Sequence, residues 1–176
     1  LWALMAATQL IDIAFVPLYL TGIEPIDASE GSGYGQGVIH ADYTHALVSV
    51  LVIALISGWL ASRAWGKRGG ITIGAVVFSH WVLDLLVHRA DLPILPGNFG
   101  DLPLLGFGLW RYPFIAAGIE LLLVAVGFFM YARSVRARSG NKIGNQLDSR
   151  PIRAWTAIVV MGILLVLSLV TDVFGI

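Results

Sequence analysis

The chain has 176 residues, 57% of them hydrophobic and 12% charged, with a mean hydropathy of +0.82 and a formal net charge of zero. A soluble domain carries about 25% charged residues, so this composition excludes an ordinary soluble domain and reads as a polytopic membrane protein. Zero net charge leaves no basic surface to neutralise phosphates, which argues against a nucleic-acid partner. The absence of cysteine excludes disulfides, thiolate zinc sites and iron–sulfur clusters.

Five segments have spanning length, near 20 apolar residues each. They cover residues 2–21, 42–63, 71–89, 112–133 and 154–174. The fold expected is all-α, one membrane domain forming a five-transmembrane-helix bundle. The first segment carries Gln9 and Asp12 and is followed by no small-residue cleavage site. It reads as a retained helix rather than a signal peptide. The last segment carries only Asp172, near its outer end, and reads as scaffold.

The connections set the orientation. Arg63, Lys67 and Arg68 lie between the second and third segments, and Arg133, Arg136, Arg138, Lys142, Arg150 and Arg153 between the fourth and fifth. Together they are nine of the eleven Lys and Arg residues, whereas the first connection carries Glu24, Asp27 and Glu30. The positive-inside rule then places the N-terminus in the cytoplasm and the C-terminus outside, as expected for a bacterial inner membrane.

Two outer connections are unusual. The run Gly31-Ser32-Gly33-Tyr34-Gly35-Gln36-Gly37 follows no strand and lacks a P-loop lysine, so it reads as a connector or flexible lid, not a phosphate cradle. The other holds a short echo, Asp91-Leu92-Pro93-Ile94-Leu95 and Asp101-Leu102-Pro103-Leu104-Leu105, and stays apolar through Trp110. Its prolines stop a helix, which predicts an apolar cap at the outer interface, where Trp and Tyr collect. The stretch from Ser134 to Arg153 reads as a solvated cytoplasmic connector.

The third segment carries His80, Asp84 and His88 at spacings of four, one slowly drifting stripe on a helix. An ionisable residue inside a bilayer costs at least about 2.5–3.5 kcal/mol and usually marks a site or pathway. The ends of the stripe lie roughly 12 Å apart, so one ion can take His80 with Asp84, or Asp84 with His88, but not all three. Counted inward from the outer boundary, His45 lies roughly 5 Å deep and Asp84 roughly 7 Å, with His80, Glu120 and Asp12 roughly 12–15 Å deep. Four helices thus contribute His or carboxylate groups to the outer half of the membrane, and the inner half contributes almost none. Singly, Asp12 could cap a kink near Pro17, Glu120 could bond a neighbouring helix and His45 could be an interfacial histidine. Their shared depth favours a common site.

Histidine and carboxylate ligands without thiolate suit a divalent metal, zinc first, then manganese or iron. The expected ligands are His45, His80 and Asp84, with His88 a further ligand or a rim residue. Glu120 or Asp12 could complete the shell or act as general base on metal-bound water. Arg89 and Arg111, with His40, stand at the outer rim. They could hold an anionic headgroup, although snorkelling to lipid phosphate explains the arginines equally well.

Thr44-His45 and Ser79-His80-x3-Asp84 together resemble the YdjM-like membrane-bound proteins, a family of predicted metal-dependent hydrolases. The resemblance covers roughly residues 40–91 and implies His45, His80 and Asp84 as metal ligands. The leading functional expectation is accordingly an integral-membrane metal-dependent hydrolase acting at the outer leaflet on a lipid or lipid-linked substrate. Two alternatives stay open: a non-enzymatic subunit of a larger membrane complex, and an ion- or proton-coupled transporter. Haem ligation by His45 with His88 is a further option, against which Asp84 favours a hard metal.

Overall fold

The computed structural model describes residues 2–27, 37–140, 155–156, 158–163 and 165–167. The chain is mostly helical and divides into two compact units, Leu1–Tyr112 and Pro113–Ile176.

The first unit opens with two helices, α1 (Trp2–Thr8) and α2 (Leu10–Leu20), where one helix is expected over 2–21. They meet at Gln9 with a bend of 50°, and at the break the Thr8 carbonyl accepts a hydrogen bond from the side chain of His80. Past α2 the chain turns back through a two-stranded antiparallel ribbon, β1 (Ile26–Asp27) with β2 (Val38–Ile39). This ribbon is a departure from an all-α fold. Of the glycine-rich run only Gly37 lies within the described residues.

Helix α3 (Leu47–Val87) covers 41 residues and is interrupted at Gly66, whose φ of 73° and ψ of 176° suit glycine and few other residues. The limbs on either side run back along each other. A Cβ on Gly58 would lie 3.0 Å from the Gly70 carbonyl, and one on Gly74 would lie 3.1 Å from the Ala54 carbonyl. Bare glycine surfaces therefore let the two backbones touch. Each limb is about 30 Å long at 1.5 Å per residue, the thickness of a bilayer core. The expected seven-residue connection shrinks to a turn at Gly66, so Arg63, Lys67 and Arg68 belong to helical ends; the Arg63 guanidinium lies over the Trp59 ring at 4.8 Å.

Ala7 and Ile11 pack against Val50, Ala54, Val77 and Trp81 to form the core that joins α1 and α2 to the hairpin. Much of the remaining apolar surface faces outward, including Leu55, Trp59 and Leu83. Such a surface is stable where lipid rather than water is the solvent, because every helical backbone group is already satisfied internally.

An irregular, largely apolar cap occupies 91–112. An isolated bridge pairs Leu92 with Leu105, and tight 3-10 turns occupy Pro96–Asn98 and Leu109–Arg111. The cap supplies partners that the ends of α3 lack. Leu47 and Val48 donate their N–H groups to the Pro93 and Ile94 carbonyls, while Phe107 and Gly108 donate to the Leu85 and His88 carbonyls. Gly106 has no alternative residue, since its φ is 146° and a Cβ there would meet the Arg89 carbonyl oxygen.

The second unit contains α4 (Pro113–Gly140), seven residues longer at its C-terminal end than expected, so Arg133, Arg136 and Arg138 are helical. The expected fifth span lies largely outside the described residues, which are helical at 155–156, 158–163 and 165–167. By length and composition, α3 and the Pro113–Val135 portion of α4 can cross a membrane, and the bent α1–α2 pair passes the same test as a third. The chain is a helical membrane protein.

Candidate functional site

Three elements of the first unit bring four side chains together. Asp12 comes from the first turn of α2, and His45 from the turn just before α3. His80 and Asp84 come one helical turn apart from the second limb of α3. The Nε2 atom of His45 lies 3.4 Å from Asp12 Oδ1 and 3.8 Å from Asp84 Oδ2. The Nε2 atom of His80 lies 3.4 Å from Asp12 Oδ1 and 3.3 Å from Asp84 Oδ2. Ligand atoms of Asp12, His45 and His80 all fall within 4.8 Å of one another.

These separations have a chemical meaning. An N–H···O hydrogen bond spans about 2.7–3.2 Å, so all four are too long to be good direct bonds. Two ligands held at about 2.0–2.1 Å from one tetrahedral ion stand roughly 3.3–3.4 Å apart. Three of the four separations match the edge of such a polyhedron. Asp84 Oδ2, moreover, is a buried oxygen with no hydrogen-bond partner. A carboxylate oxygen taken from water and left unsatisfied is costly. Two imidazoles and two carboxylates are a donor set that could hold a divalent cation or protons.

Surrounding contacts fix the site. Both histidines spend their other ring nitrogen elsewhere: His45 Nδ1 is 2.9 Å from Thr44 Oγ1, and His80 Nδ1 is 2.7 Å from the Thr8 carbonyl oxygen. Trp81, buried in the core, donates its indole N–H to the His45 carbonyl at 2.7 Å. Phe15 closes one side, edge-on to the His45 ring at 5.8 Å. Glu24 is completely buried and accepts from the backbone N–H groups of Tyr43 and Thr44 and from the Thr44 hydroxyl.

Of the ligands expected from the sequence, His45, His80 and Asp84 converge, and Asp12 joins them directly. His88 does not join the group. It is buried, its Nδ1 is 3.0 Å from Asp91 Oδ1, and its ring lies against Trp110 at 4.5 Å. Its ring centroid is 6.4 Å from that of His45, which makes it a neighbour of the site. Arg89 is half-buried beside it, whereas His40 and Arg111 are exposed. Glu120 is half-buried on α4 in the second unit. Glu24 and Thr8 support the site without any mark in the sequence. An acid in the connection between the first two expected spans looks like a solvated charge, and a backbone carbonyl carries no sequence signal.

No protein-family model matches the chain, and no solved structure matches it. A triacylglyceride transporter of Mycolicibacterium smegmatis is 34% identical over 136 residues, a match covering 61% of this chain and 24% of that protein. The chain thus spans about a quarter of its relative's length. This likeness overturns the expectation of a metal-dependent hydrolase, on which the general-base roles of Glu120 and Asp12 rested, and favours the transporter alternative. The physical reason for the error is plain. Histidines and carboxylates inside an apolar segment mark a polar site, and such a site serves transport as readily as it serves catalysis.

Proposed function

We propose that this chain is an integral-membrane module of a lipid transporter, in which Asp12, His45, His80 and Asp84 hold the cation that controls transport. The observation that carries the reading is the set of N···O separations from the Nε2 atoms of His45 and His80 to Asp12 Oδ1, both 3.4 Å, and to Asp84 Oδ2, 3.8 and 3.3 Å, with Asp84 Oδ2 buried and unpartnered. They suit a bound divalent metal, with zinc first for two imidazoles and two carboxylates. The likeness to a triacylglyceride transporter supports an apolar lipid as the cargo. The asymmetry of basic residues supports a cytoplasmic N-terminus, with the site and the cap towards the outer leaflet. Membrane lipids are then both solvent and substrate.

The test is transfer of a fluorescent triacylglyceride between the leaflets of proteoliposomes carrying the purified chain, with zinc or with a chelator. Transfer should depend on zinc and be lost in Asp12→Asn and in Asp84→Asn. Zinc-independent transfer that survives both substitutions would separate the cluster from transport, and no transfer by the unsubstituted chain under any condition would remove the transport reading.

A further inference from the structure

We propose that Glu24 and Thr44 form a buried hydrogen-bond chain that fixes His45 in its Nδ1–H form and so turns a bare Nε2 lone pair onto the cation position. The proposal deepens the cation-site reading and rests on it for its functional meaning. The hydrogen-bond arithmetic, however, stands by itself.

Glu24 Oε1 lies 2.6 Å from the Tyr43 amide nitrogen and 2.8 Å from that of Thr44, and both amides can only donate. Glu24 Oε2 lies 2.8 Å from Thr44 Oγ1. An ionised carboxylate only accepts, and a hydroxyl has a single proton to give. That proton goes to Glu24. Thr44 Oγ1 can then only accept from His45 Nδ1, 2.9 Å away, so the proton of a neutral His45 ring sits on Nδ1. All three side chains are buried: Glu24 is 0% exposed, Thr44 6% and His45 5%.

The chain reaches across 20 residues of sequence because the β1–β2 ribbon folds back. The His40 amide donates to the Pro25 carbonyl beside the ribbon, and the Glu24 amide is anchored on the Leu18 carbonyl. Glu24 is thereby delivered to the turn that carries His45.

His80 is oriented to the same end by a simpler device. Its Nδ1 faces the Thr8 carbonyl, which can only accept, so a neutral His80 also presents a bare Nε2. With both rings neutral, the two lone pairs and the Asp12 carboxylate converge, and Asp84 Oδ2 lies 3.3 Å from His80 Nε2, with no donor among them. Such an arrangement is repulsive when empty and attractive to a cation. Partners of this kind, bonded to the far nitrogen of a ligating histidine, typically change metal affinity by about 10–100-fold when removed. Glu24 and Thr44 are positioning residues, acting on the cation only through His45.

The test uses the full chain in detergent, labelled with 15N-histidine, with the His45 signal assigned by its loss in His45→Asn. Long-range 1H–15N correlations distinguish the Nδ1–H from the Nε2–H form. The unsubstituted protein without metal should show His45 as Nδ1–H. Thr44→Val should lose that preference, and Thr44→Ser, which keeps the hydroxyl, should restore it. In zinc titrations of the same samples, Thr44→Val and Glu24→Gln should each weaken binding about 10–100-fold, with Thr44→Ser close to the unsubstituted protein. An Nε2–H form of His45 in the unsubstituted protein, or an unchanged Nδ1–H form in Thr44→Val, would overturn the proposal. A correct tautomer shift in a protein that binds no zinc would uphold the hydrogen-bond chain and bring down the cation reading instead. Should Thr44→Val fail to fold, Glu24→Gln and Thr44→Ser carry the same comparison.

Discussion

Replacing Asp84 by Asn should reverse its effect on stability according to whether a cation is present. In the folded chain the Asp84 side chain is 15% exposed, and its Oδ2 atom lies 3.3 and 3.8 Å from the Nε2 atoms of His80 and His45 without a hydrogen-bond partner. Without a cation that oxygen is a charge in the membrane with no donor, carrying a cost of at least about 2.5–3.5 kcal/mol. The amide carries no charge, so in chelator Asp84→Asn should melt above the unsubstituted protein. With zinc at about 100 times its dissociation constant, the unsubstituted protein gains about 2.7 kcal/mol by mass action. At roughly 2–4 °C per kcal/mol for a chain of this size, that is a rise of about 5–11 °C. On the proposed reading Asp84→Asn lacks one of four ligands and should gain much less, so the order of the two melting temperatures inverts. Tryptophan fluorescence during heating in detergent, with chelator and then with zinc, measures both. The reasoning is refuted if zinc does not raise the melting temperature of the unsubstituted protein, or if Asp84→Asn gains as much as it does.

Other substitutions probe the frame around the site. Gly106→Ala should prevent the cap from closing, because its Cβ would collide with the Arg89 carbonyl at a φ of 146°; a left-handed strain of about 1–3 kcal/mol adds to that collision, and the loss should appear as a lowered melting temperature and faster proteolysis within 91–112. Trp81→Phe removes the indole donor 2.7 Å from the His45 carbonyl and leaves that oxygen buried and unpaired. A loss of about 1–3 kcal/mol is expected, together with weaker zinc binding in a titration, since the same bond holds the turn carrying His45.

Much of this is legible in the sequence, for identifiable reasons. Long apolar runs mark helices whatever their tertiary setting, and His80 and Asp84 announce themselves because charge is expensive in an apolar segment. The turn at Gly66 is not legible. Arg63, Lys67 and Arg68 look like a hydrophilic loop, and only the close backbone approach of Gly58 and Gly70 shows that the helices continue through them. Two-residue strands have no periodicity to detect, so the ribbon is invisible in the sequence, and with it the burial of Glu24. His88 shows where spacing misleads: it falls on the stripe, but Asp91, three residues later, takes its Nδ1 and Trp110 takes its face. Spacing along one helix says which groups share a face, not which of them a neighbouring loop claims first.

The location of the cluster constrains how a cation can act there. Beneath it the first unit is closed by the apolar side chains of Ala7, Ile11, Val50, Ala54 and Val77. Between these and the basic residues at Gly66, the described part of the hairpin offers no ionisable side chain. On the proposed reading, a cation held by Asp12, His45, His80 and Asp84 meets no chain of titratable groups towards the basic end among the described residues of the hairpin, which favours loading and release on one side. The four side chains come from α2, the turn before α3 and the second limb of α3. On the proposed reading the cation is a clasp. Bound, it draws the three segments together; released, it leaves Asp12 and Asp84 to repel each other and loosens the same packing. A lipid passing beside those segments would meet a surface whose closure is set by cation occupancy, and no ion needs to cross the membrane with it.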